Sequence, residues 1–516
     1  MKKIELSEKN KTGVALVLCT ALLCLIGFFC FYKLAVKYVD PWDEARHGVN
    51  AYEMLKEGSL FRNTYLYEPD YYNLKPPLSM WCQMISFFIL GANSFSLRFY
   101  AALCYLILCA VCGRYMWKHY GRLEAVIALG LMAANTTPFA AHMVRAGDAD
   151  SLYVLLFTLA MLFMMQIPKK QSNLIFCGLF FSLAFLTKSY HAGIIAVIGG
   201  LYLIVTGEIK KIKPKMWLGF IAACVVPILM WAVPRCMVDG LAFFKEMLLT
   251  DVLGRTDGTL QNNIQPFGWY AEYYLGTMSG KLMIYLWALI GIQAGCFICC
   301  VGRTKEELSA RKNEIIAYCL WIFVPFVAFS AVSNKLLWYL YPVTVPLLLA
   351  LAVMAAAVIR DKRIFLPLRT VAAVLVCLCI CFYAKDVFAT IQSQTAVAGN
   401  EFQNFIKDTA QKLRDEYGQE TEIYGAVVYG VDETGAVQSE WAGQDVFVAE
   451  AYGDIICRQG GISYIAEQIS QRTDQGVKLV FLAKDSEALL DTMDVALPEH
   501  FVKYAESEGY VVYEWR

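Results

Sequence analysis

Long apolar runs recur along most of the chain and limit the folds that it can adopt. Roughly eleven of them have about the 17–25 residues that a helix needs to cross a bilayer. They lie at 13–35, 95–117, 122–142, 151–167, 173–189, 191–206, 216–234, 281–301, 314–332, 336–358 and 367–388. Charged residues make up only 17% of the sequence, whereas soluble domains contain about 25%. The sequence therefore predicts a polytopic α-helical membrane protein.

Basic residues indicate which ends of the predicted spans share a side. Clusters of lysine and arginine lie at the N-terminus and after every second span, at 114–122, 169–170, 210–215, 303–312 and 360–369. By the positive-inside rule this side is the cytoplasm. The N-terminus is then cytoplasmic, and the outward-facing segments are the loops 36–94, 143–150, 235–280 and 333–335 and the chain after about residue 388.

The sequence becomes polar near residue 400. Short β-rich segments at 423–429, 478–482 and 510–515 alternate with helical patterns at 401–416 and 462–472. The pattern predicts two domains. Residues 1–390 form the transmembrane domain, and residues 400–516 form a small α/β domain outside the cytoplasm.

Charge and cysteine usage argue against nucleic-acid binding and against a metal site formed by cysteines. Lysine plus arginine equals aspartate plus glutamate at 45 each, so no global positive field attracts nucleic acid. Most of the 18 cysteines lie inside apolar runs, where a free cysteine behaves as a small hydrophobic residue. Cys296, Cys299 and Cys300 have zinc-like spacing but apolar neighbours, so they predict no metal site.

The first outer loop, residues 36–94, carries charged residues close to the predicted membrane surface. Asp43, Glu44 and Arg46 open a segment with helical spacing, and a second amphipathic segment covers 77–90. Both segments predict helices that lie in the membrane interface. Charges at this depth are costly and often functional.

The short outer turn 143–150 carries further acids, Asp148 and Asp150, after Arg145. Acids from two loops on one face could converge on one cavity. They could supply a general base or ligands for a hard divalent cation, and the spacing does not choose between these roles.

Basic side chains are present on the same face. A single lysine or arginine at the end of a span can simply extend its charged group to water. Several together favour a site for a phosphate anchored in the outer leaflet. The candidates are Arg46, Lys75, Arg145, Lys188, Arg255 and Lys335.

Four motifs resemble glycosyltransferase family 39, which includes the protein O-mannosyltransferases and the bacterial lipid A aminoarabinose transferases. The resemblance covers most of residues 10–360, with the motifs in the family's order. They are Asp43-Glu44-x-Arg46 followed by Lys75-Pro76-Pro77 and Trp81, then Arg145 to Asp150, then Phe185-Leu186-Thr187-Lys188, and last Ser333-x-Lys335-x-x-x-Tyr339-x-x-Pro342.

The resemblance implies a C-type glycosyltransferase fold and transfer of a sugar from a polyprenyl-phosphate donor to an acceptor. Asp43 matches the family's first-loop catalytic acid, with Glu44 beside it, and Asp150 matches the second-loop acid better than Asp148. Lys75 matches the lysine near the donor phosphate. Further basic residues expected at the phosphate are Arg46, Arg145, Arg255 and Lys335, and the site could extend to Asp148, Lys188 and Tyr339.

Two departures concern metal binding. Aminoarabinose transferases carry glutamate where this chain has Leu74, and a family histidine has no clear counterpart in the segment 251–267. The sequence therefore provides no ligand set for a divalent cation, and a requirement for one stays open.

The chemical needs of glycosyl transfer are consistent with these candidate residues. A phosphate-linked sugar already has a good leaving group, so the site needs a base for the acceptor and positive charge for the phosphate. Direct displacement would invert the anomeric centre. The expected partners are the lipid-linked donor, membrane lipid and an acceptor that is protein, lipid or envelope polymer, on the outer face of the cell membrane.

Two other functions explain fewer of these features. A transporter or flippase for a lipid-linked sugar would also place charges near a cavity, but it more often shows related halves or broken helices at mid-membrane. A receptor or assembly protein would give no reason for acids and bases to cluster in the outer loops.

Overall fold

Apolar helices form most of the fold. The computed structural model describes residues 8–254, 263–276, 311–396, 401–417, 423–428, 430–431, 437–438, 442–457, 477–484 and 501–515. The helices before residue 255 are α1 (Glu8–Phe31), α2 (Asp43–Glu57), α3 (Leu78–Leu90), α4 (Ser94–His119), α5 (Arg122–Ala133), α6 (Thr137–Ala140), α7 (Asp150–Met164), α8 (Asn173–Lys188), α9 (Gly193–Val205), α10 (Pro214–Asp239) and α11 (Ala242–Glu246). The later helices are α12 (Trp269–Gly276), α13 (Lys312–Ala331), α14 (Tyr341–Arg360), α15 (Leu366–Ala396), α16 (Glu401–Tyr417) and α17 (Gly443–Gly453).

Eight helical stretches among the described residues are long and apolar enough to cross a bilayer. They are Lys9–Phe31, Ser94–His119, Arg122–Ala140, Asn173–Val205, Pro214–Asp239, Lys312–Ala331, Leu337–Arg360 and Leu366–Ala396. The stretch Asn173–Val205 contains two of the predicted runs, as α8 and α9 joined by a 3₁₀ turn, and the other seven stretches match single predicted runs. The chain is a multi-pass membrane protein.

The remaining predicted runs do not add to this set. The run at 151–167 forms α7, which has only 15 residues, and the run at 281–301 lies outside the described residues. The predicted total of about eleven spans therefore stays a prediction.

Burial separates inner helices from outer ones. The most apolar part of the stretch Arg122–Ala140 is 72% buried, whereas the most apolar part of Pro214–Asp239 is only 6% buried. The inner stretch packs against α1, α4 and α14, while α10 packs mainly on α8. Exposed apolar faces such as that of α10 are suited to contact with lipid, because a helix bonds most of its backbone polar groups internally.

The first outer loop forms the two expected helices, α2 and α3, with a short antiparallel pair between them, β1 (Thr64–Tyr65) and β2 (Glu68–Pro69). α2 ends at Gly58, whose φ of 66° lies in the left-handed region. Ten of its fifteen residues are buried, because α2 lies between α3 and α17. The helix is thus enclosed by protein on both sides.

The C-terminal region contains a mixed sheet whose strands are, in spatial order, β3 (Ile423–Val428), β6 (Val477–Ala483), β8 (Tyr510–Trp515) and β7 (Phe501–Glu506). β3 pairs with β6 in parallel, and β8 pairs antiparallel with β6 and β7. The strands expected at 423–429, 478–482 and 510–515 are confirmed, whereas β7 and α17 were not predicted, and the helix expected at 462–472 lies outside the described residues. Two further short strands, β4 (Gly430–Val431) and β5 (Val437–Gln438), pair antiparallel with each other.

The C-terminal helices contact the first outer loop. The side chain of Gln403 exchanges two hydrogen bonds of 2.9 Å with the backbone of Val39. A Cβ atom on Gly48 of α2 would lie 2.8 Å from the ring of Phe447 and 2.9 Å from Leu97, so only glycine allows α2 to approach α17 and α4 this closely. The division into domains 1–390 and 400–516 stays a prediction.

Candidate active site

The outer turn 143–150 touches the first outer loop at the ends of the membrane helices. The backbone N–H of Gly147 donates to Oε1 of Glu44 at 2.7 Å, and Gln83 donates to the Gly147 carbonyl at 2.8 Å. A Cβ atom at Gly147 would lie 2.7 Å from Leu97 Cγ, so the close approach requires glycine. The acidic loops 36–94 and 143–150, which the sequence placed on one face, therefore contact each other.

Asp43 and Lys75 form an ion pair at the start of α2. Lys75 Nζ lies 3.1 Å from Asp43 Oδ1, and 39% of the Asp43 side chain remains exposed. Burial alone would raise the pKa of Asp43, but the positive charge of Lys75 is the strongest of several effects that bring it below its usual value. Asp43 is therefore a charged, partly accessible carboxylate that holds a lysine beside it.

His47 lies one helical turn after Asp43 and was not singled out from the sequence. Its Nδ1 is 2.7 Å from the Asp43 carbonyl oxygen. Burial and the nearby charge of Lys75 lower its pKa to about 4, so the ring is neutral at pH 7. Because a carbonyl only accepts, Nδ1 carries the proton, and Nε2 has no hydrogen-bond partner among the described residues. The available signal was the i, i+4 spacing of aspartate and histidine on one helix.

A second histidine, His142, pairs with Asp148. His142 Nδ1 lies 2.8 Å from Asp148 Oδ2, and Asp148 Oδ1 accepts from the backbone N–H of Ala149 at 2.6 Å. Burial would raise the pKa of Asp148, but the hydrogen bond from His142 and the charge of Lys75 bring it far below its ordinary value. Asp148 is thus a buried carboxylate beside the Asp43–Lys75 pair.

Asp150 lies in a third pair. Its carboxylate contacts Lys188 Nζ, and the two side chains are only 1% and 6% exposed. The Lys188 ammonium group also lies 5.8 Å from the ring centroid of Tyr339. The sequence favoured Asp150 over Asp148 as the neighbour of Asp43, whereas the structure places Asp148 there and directs Asp150 to Lys188.

Glu44 is bonded on both oxygens and points away from the Asp43–Lys75 pair. Arg98 donates to Oε1 at 2.6 Å and to Oε2 at 2.8 Å, and the backbone N–H groups of Gly147 and Asp40 complete the set. Neither Glu44 nor Arg98 is more than 2% exposed. Glu44 was expected beside the catalytic acid, and its geometry instead ties α2 to α4 and the outer turn.

The charge of Arg46 is also paired within the first outer loop. It donates two hydrogen bonds, of 2.9 and 2.8 Å, to Asp70, and its guanidinium lies 4.1 and 4.6 Å from the ring centroids of Tyr65 and Tyr72. A bidentate, stacked arginine fixes geometry strongly. The expected phosphate ligand Arg46 therefore holds the β1–β2 segment against α2.

Two other expected phosphate ligands bond to backbone. Arg145 donates to four carbonyls at the C-terminal end of α1 and just after it, and to the side chain of Gln394. Lys335 donates to the carbonyls of Gln265 and Val332 at 2.8 and 2.5 Å. These cations cap backbone acceptors rather than approach Asp43. Arg255 lies outside the described residues.

The same cluster bears on metal binding. Asp43, His142 and Asp148 each offer a possible ligand atom, all within 4.8 Å of one another. Lys75 already donates to Asp43, and His142 already hydrogen-bonds Asp148. Cationic or proton-donating groups of the chain thus serve both carboxylates, and the cluster gives no reason to assign a metal to it.

The fold defines a class: a multi-pass membrane protein with the architecture of ArnT. The crystal structure of ArnT from Cupriavidus metallidurans bound to undecaprenyl phosphate aligns with a TM-score of 0.62 at 16% identity, covering 97% of each chain. The apo form of that protein aligns with a TM-score of 0.58, covering 98% of each chain. The predicted fold class is confirmed.

Sequence comparisons point the same way. Residues 74–231 match the family model described as dolichyl-phosphate-mannose-protein mannosyltransferase. The undecaprenyl phosphate-alpha-4-amino-4-deoxy-L-arabinose arabinosyl transferase of Shewanella sediminis is 24% identical over 360 residues, which is 67% of this chain and 60% of that relative. The match thus spans less than two thirds of the relative's length. The resemblance to glycosyltransferase family 39 is confirmed.

Proposed function

We propose that the chain is a membrane glycosyltransferase that moves a sugar from a polyprenyl-phosphate donor to a hydroxyl or amine acceptor. The observation that carries the proposal is the Asp43–Lys75 pair, 3.1 Å apart, beside the His142–Asp148 pair at the ends of the membrane helices. Transfer of a sugar from a phosphate needs a positive charge for the phosphate and a nearby group that accepts the proton of the acceptor. A fold shared with a transferase solved with undecaprenyl phosphate supports the choice of donor.

The proposed reaction is a single displacement. The acceptor oxygen or nitrogen attacks the anomeric carbon, the carbon–oxygen bond to phosphate breaks, and polyprenyl phosphate leaves with the electron pair. The acceptor gives up one proton, and the anomeric configuration inverts. Lysine beside the phosphate stabilises the charge that develops on the leaving group.

The roles follow from the contacts. Lys75 binds the donor phosphate, and Asp43 holds Lys75 in position at the N-terminus of α2, where the helix dipole favours an anion. Lys188, Asp150 and Tyr339 form an adjoining part of the site. The remaining cations and Glu44 shape the loops, since their polar atoms bond to Arg98, Asp70 or backbone carbonyls.

We also propose that the site faces away from the cytoplasm and that the C-terminal domain lies on the same side. The support is the charge distribution, because the larger basic clusters lie at the opposite ends of the spans. A protease tag placed after residue 516 should be cut from outside intact cells. A tag protected in intact cells yet cut after lysis would reverse the orientation.

A transfer assay tests the function. The full-length protein in nanodiscs is given undecaprenyl phosphate carrying labelled 4-amino-4-deoxy-arabinose or mannose, with cell-envelope fractions as acceptors. Release of undecaprenyl phosphate together with label in the acceptor is expected. Label that crosses a vesicle bilayer while still attached to the lipid would instead establish a flippase.

Lys75→Ala sharpens the assay. Loss of a charge-assisted contact of ~2 kcal/mol should raise the donor KM about 30-fold. Loss of the charge that stabilises the leaving group should also lower kcat on the order of 100-fold. Lys56→Ala is the matched control, because Lys56 forms a 2.5 Å ion pair with Asp454 at the other end of α2. Unchanged donor kinetics in a folded Lys75→Ala protein would reject the phosphate role.

A further inference from the structure

His142 is held in an unusual position in the outer turn. Its ring stacks on Trp338, with centroids 3.6 Å apart and planes inclined by 26°. Its backbone φ is 57°, in the left-handed region that few non-glycine residues adopt. The preceding carbonyl, that of Ala141, accepts a 2.8 Å hydrogen bond from the Tyr341 hydroxyl. The ring is therefore fixed by the stack on Trp338 and by a backbone anchored to Tyr341, the first residue of α14.

The partner of His142 determines which ring nitrogen is available. Asp148 is a buried carboxylate, and its Oδ2 can only accept from Nδ1 at 2.8 Å. Nδ1 therefore carries the proton in the neutral ring, and Nε2 presents a lone pair. The His142 side chain is 27% exposed, whereas that of Asp148 is 1% exposed. An aspartate thus orients a histidine whose side chain is partly exposed.

The neighbouring groups are less suited to take a proton. Asp43 is paired with Lys75, which keeps its carboxylate charged and weakly basic. His47 is fully buried. Asp150 is buried against Lys188.

We propose that His142 is the catalytic base, that its Nε2 takes the proton of the acceptor, and that Asp148 is the residue that positions it. This inference rests on the proposed glycosyl transfer. As the acceptor oxygen or nitrogen bonds to the anomeric carbon, its proton moves to Nε2, and the carbon–oxygen bond electrons leave with polyprenyl phosphate. The protonated ring then returns its proton to water. Asp43 keeps Lys75 in place and is not the proton acceptor.

The charges around His142 predict its pH behaviour. Burial lowers the pKa of His142, but the hydrogen bond and charge of Asp148 outweigh this and raise it above the ordinary histidine value. Turnover should therefore rise with pH through that raised pKa. The titratable groups around His142 are Asp43, His47 and Lys75 of the first loop and Asp148 and Asp150 of the turn. Lys188 contacts Asp150, and Tyr339 follows the uncharged Trp338 in the chain.

The test uses the full-length protein in nanodiscs and undecaprenyl-phosphate-linked 4-amino-4-deoxy-arabinose or mannose, whichever the wild type consumes. His142→Gln should lower kcat at least 100-fold for envelope acceptors that must lose a proton and should remove the acidic limb of the pH profile. Azide needs no deprotonation, so transfer to azide should stay within about threefold of wild type. His119→Gln, in the last turn of α4, is the matched control and should behave as wild type.

Asp148→Asn provides an independent measurement if the His142→Gln protein does not fold. Removing this negative charge lowers the pKa of His142, so the acidic limb of kcat should move to lower pH by about one unit, which corresponds to ~1.4 kcal/mol. A purely structural role for Asp148 would lower kcat without moving the limb.

The outcomes separate the two proposals. Wild-type protein that neither binds undecaprenyl phosphate nor consumes any lipid-linked sugar overturns the proposed function. Active wild type with an unchanged pH profile in both variants overturns the role of His142 alone. Equal loss of transfer to azide and to envelope acceptors in His142→Gln also overturns it, because a base is not needed for azide.

Discussion

The two ends of α2 both bury acids, but the chain balances them differently. At the N-terminal end Asp43 faces Lys75 and Glu44 faces Arg98, each within 3.1 Å or less. Towards the C-terminal end Glu53 is fully buried, and none of the described residues forms an ion pair with it. Glu53 Oε2 accepts from the backbone N–H of Tyr67 at 3.0 Å.

The difference shows in the protonation of these acids. The pKa of Glu44 is lowered, since the charge and hydrogen bonds of Arg98 outweigh the effect of burial. Burial raises the pKa of Glu53 to about 8, so that acid is mostly neutral at pH 7. One end of the helix thus carries fixed charge close to the candidate site, and the other end carries a protonated acid bonded to the backbone of the first outer loop.

The largest expected effect is on stability, at Glu44. Glu44→Gln leaves Arg98 buried without its counter-charge and should destabilise the fold by ~3–5 kcal/mol. Thermal unfolding of the purified protein measures this. Glu57→Gln, at the exposed last residue of α2, should leave the midpoint within a degree or two. Equal midpoints for the two variants would show that the Glu44–Arg98 pair does not hold the loop in place.

The next effect is on turnover, at Asp43. Asp43→Asn keeps the shape but removes the charge that positions Lys75, so kcat should fall on the order of 100-fold, while stability changes little because the side chain is partly exposed. Asp40→Asn is a suitable control, since Asp40 also pairs with a lysine, Lys37, in the same loop. Near-normal turnover in Asp43→Asn would remove this pair from the site.

Comparing Asp148 with Asp150 sharpens the same point. Asp148→Asn should act on the pH profile, whereas Asp150→Asn leaves Lys188 buried without its partner and should lower the unfolding midpoint first. The reverse pattern would restore the assignment of Asp150 that the sequence favoured.

The sequence was sufficient for the eight long apolar stretches and for the meeting of the two acidic loops, and it named Asp43 and Lys75 without pairing them. Each depends on a local signal: the length of an apolar run, a basic loop, or a lysine before two prolines. The strands of the C-terminal sheet were also visible in the pattern.

Other features depend on three-dimensional packing. The neighbours Asp43 and Glu44 point to different partners, which their spacing does not reveal. His142 becomes part of the site only because its turn meets Trp338, nearly two hundred residues later in the chain. One signal was present but unused, since Arg98 is a lone charge at the start of an apolar run and predicts a buried partner.

A smaller effect is expected at Glu53. Its pKa in the folded chain, about 8, lies above the unfolded value near 4.3, so the unfolded state loses its proton first as pH rises. Stability should therefore fall between about pH 4.5 and 8. Glu53→Gln should flatten this pH dependence, as measured by unfolding midpoints at pH 5 and pH 8. An unchanged slope would mean that Glu53 is ionised in the folded protein.

The smallest effect is expected at Asp454, which contacts the C-terminal end of α2. Asp454 accepts from the Tyr52 hydroxyl at 2.5 Å and forms an ion pair of 2.5 Å with Lys56, whose side chain is 34% exposed. Exposed pairs of this kind contribute about 0–1 kcal/mol and are screened by salt. Asp454→Asn keeps the Tyr52 contact, so proteolysis of the C-terminal region should rise only about twofold at low salt and match wild type in 0.5 M salt. Asp454–Lys56 and Asp43–Lys75 each join an aspartate to a lysine at one end of α2. A loss of turnover in Asp454→Asn would therefore mean that the contact with the C-terminal helices controls the site together with the Asp43–Lys75 pair.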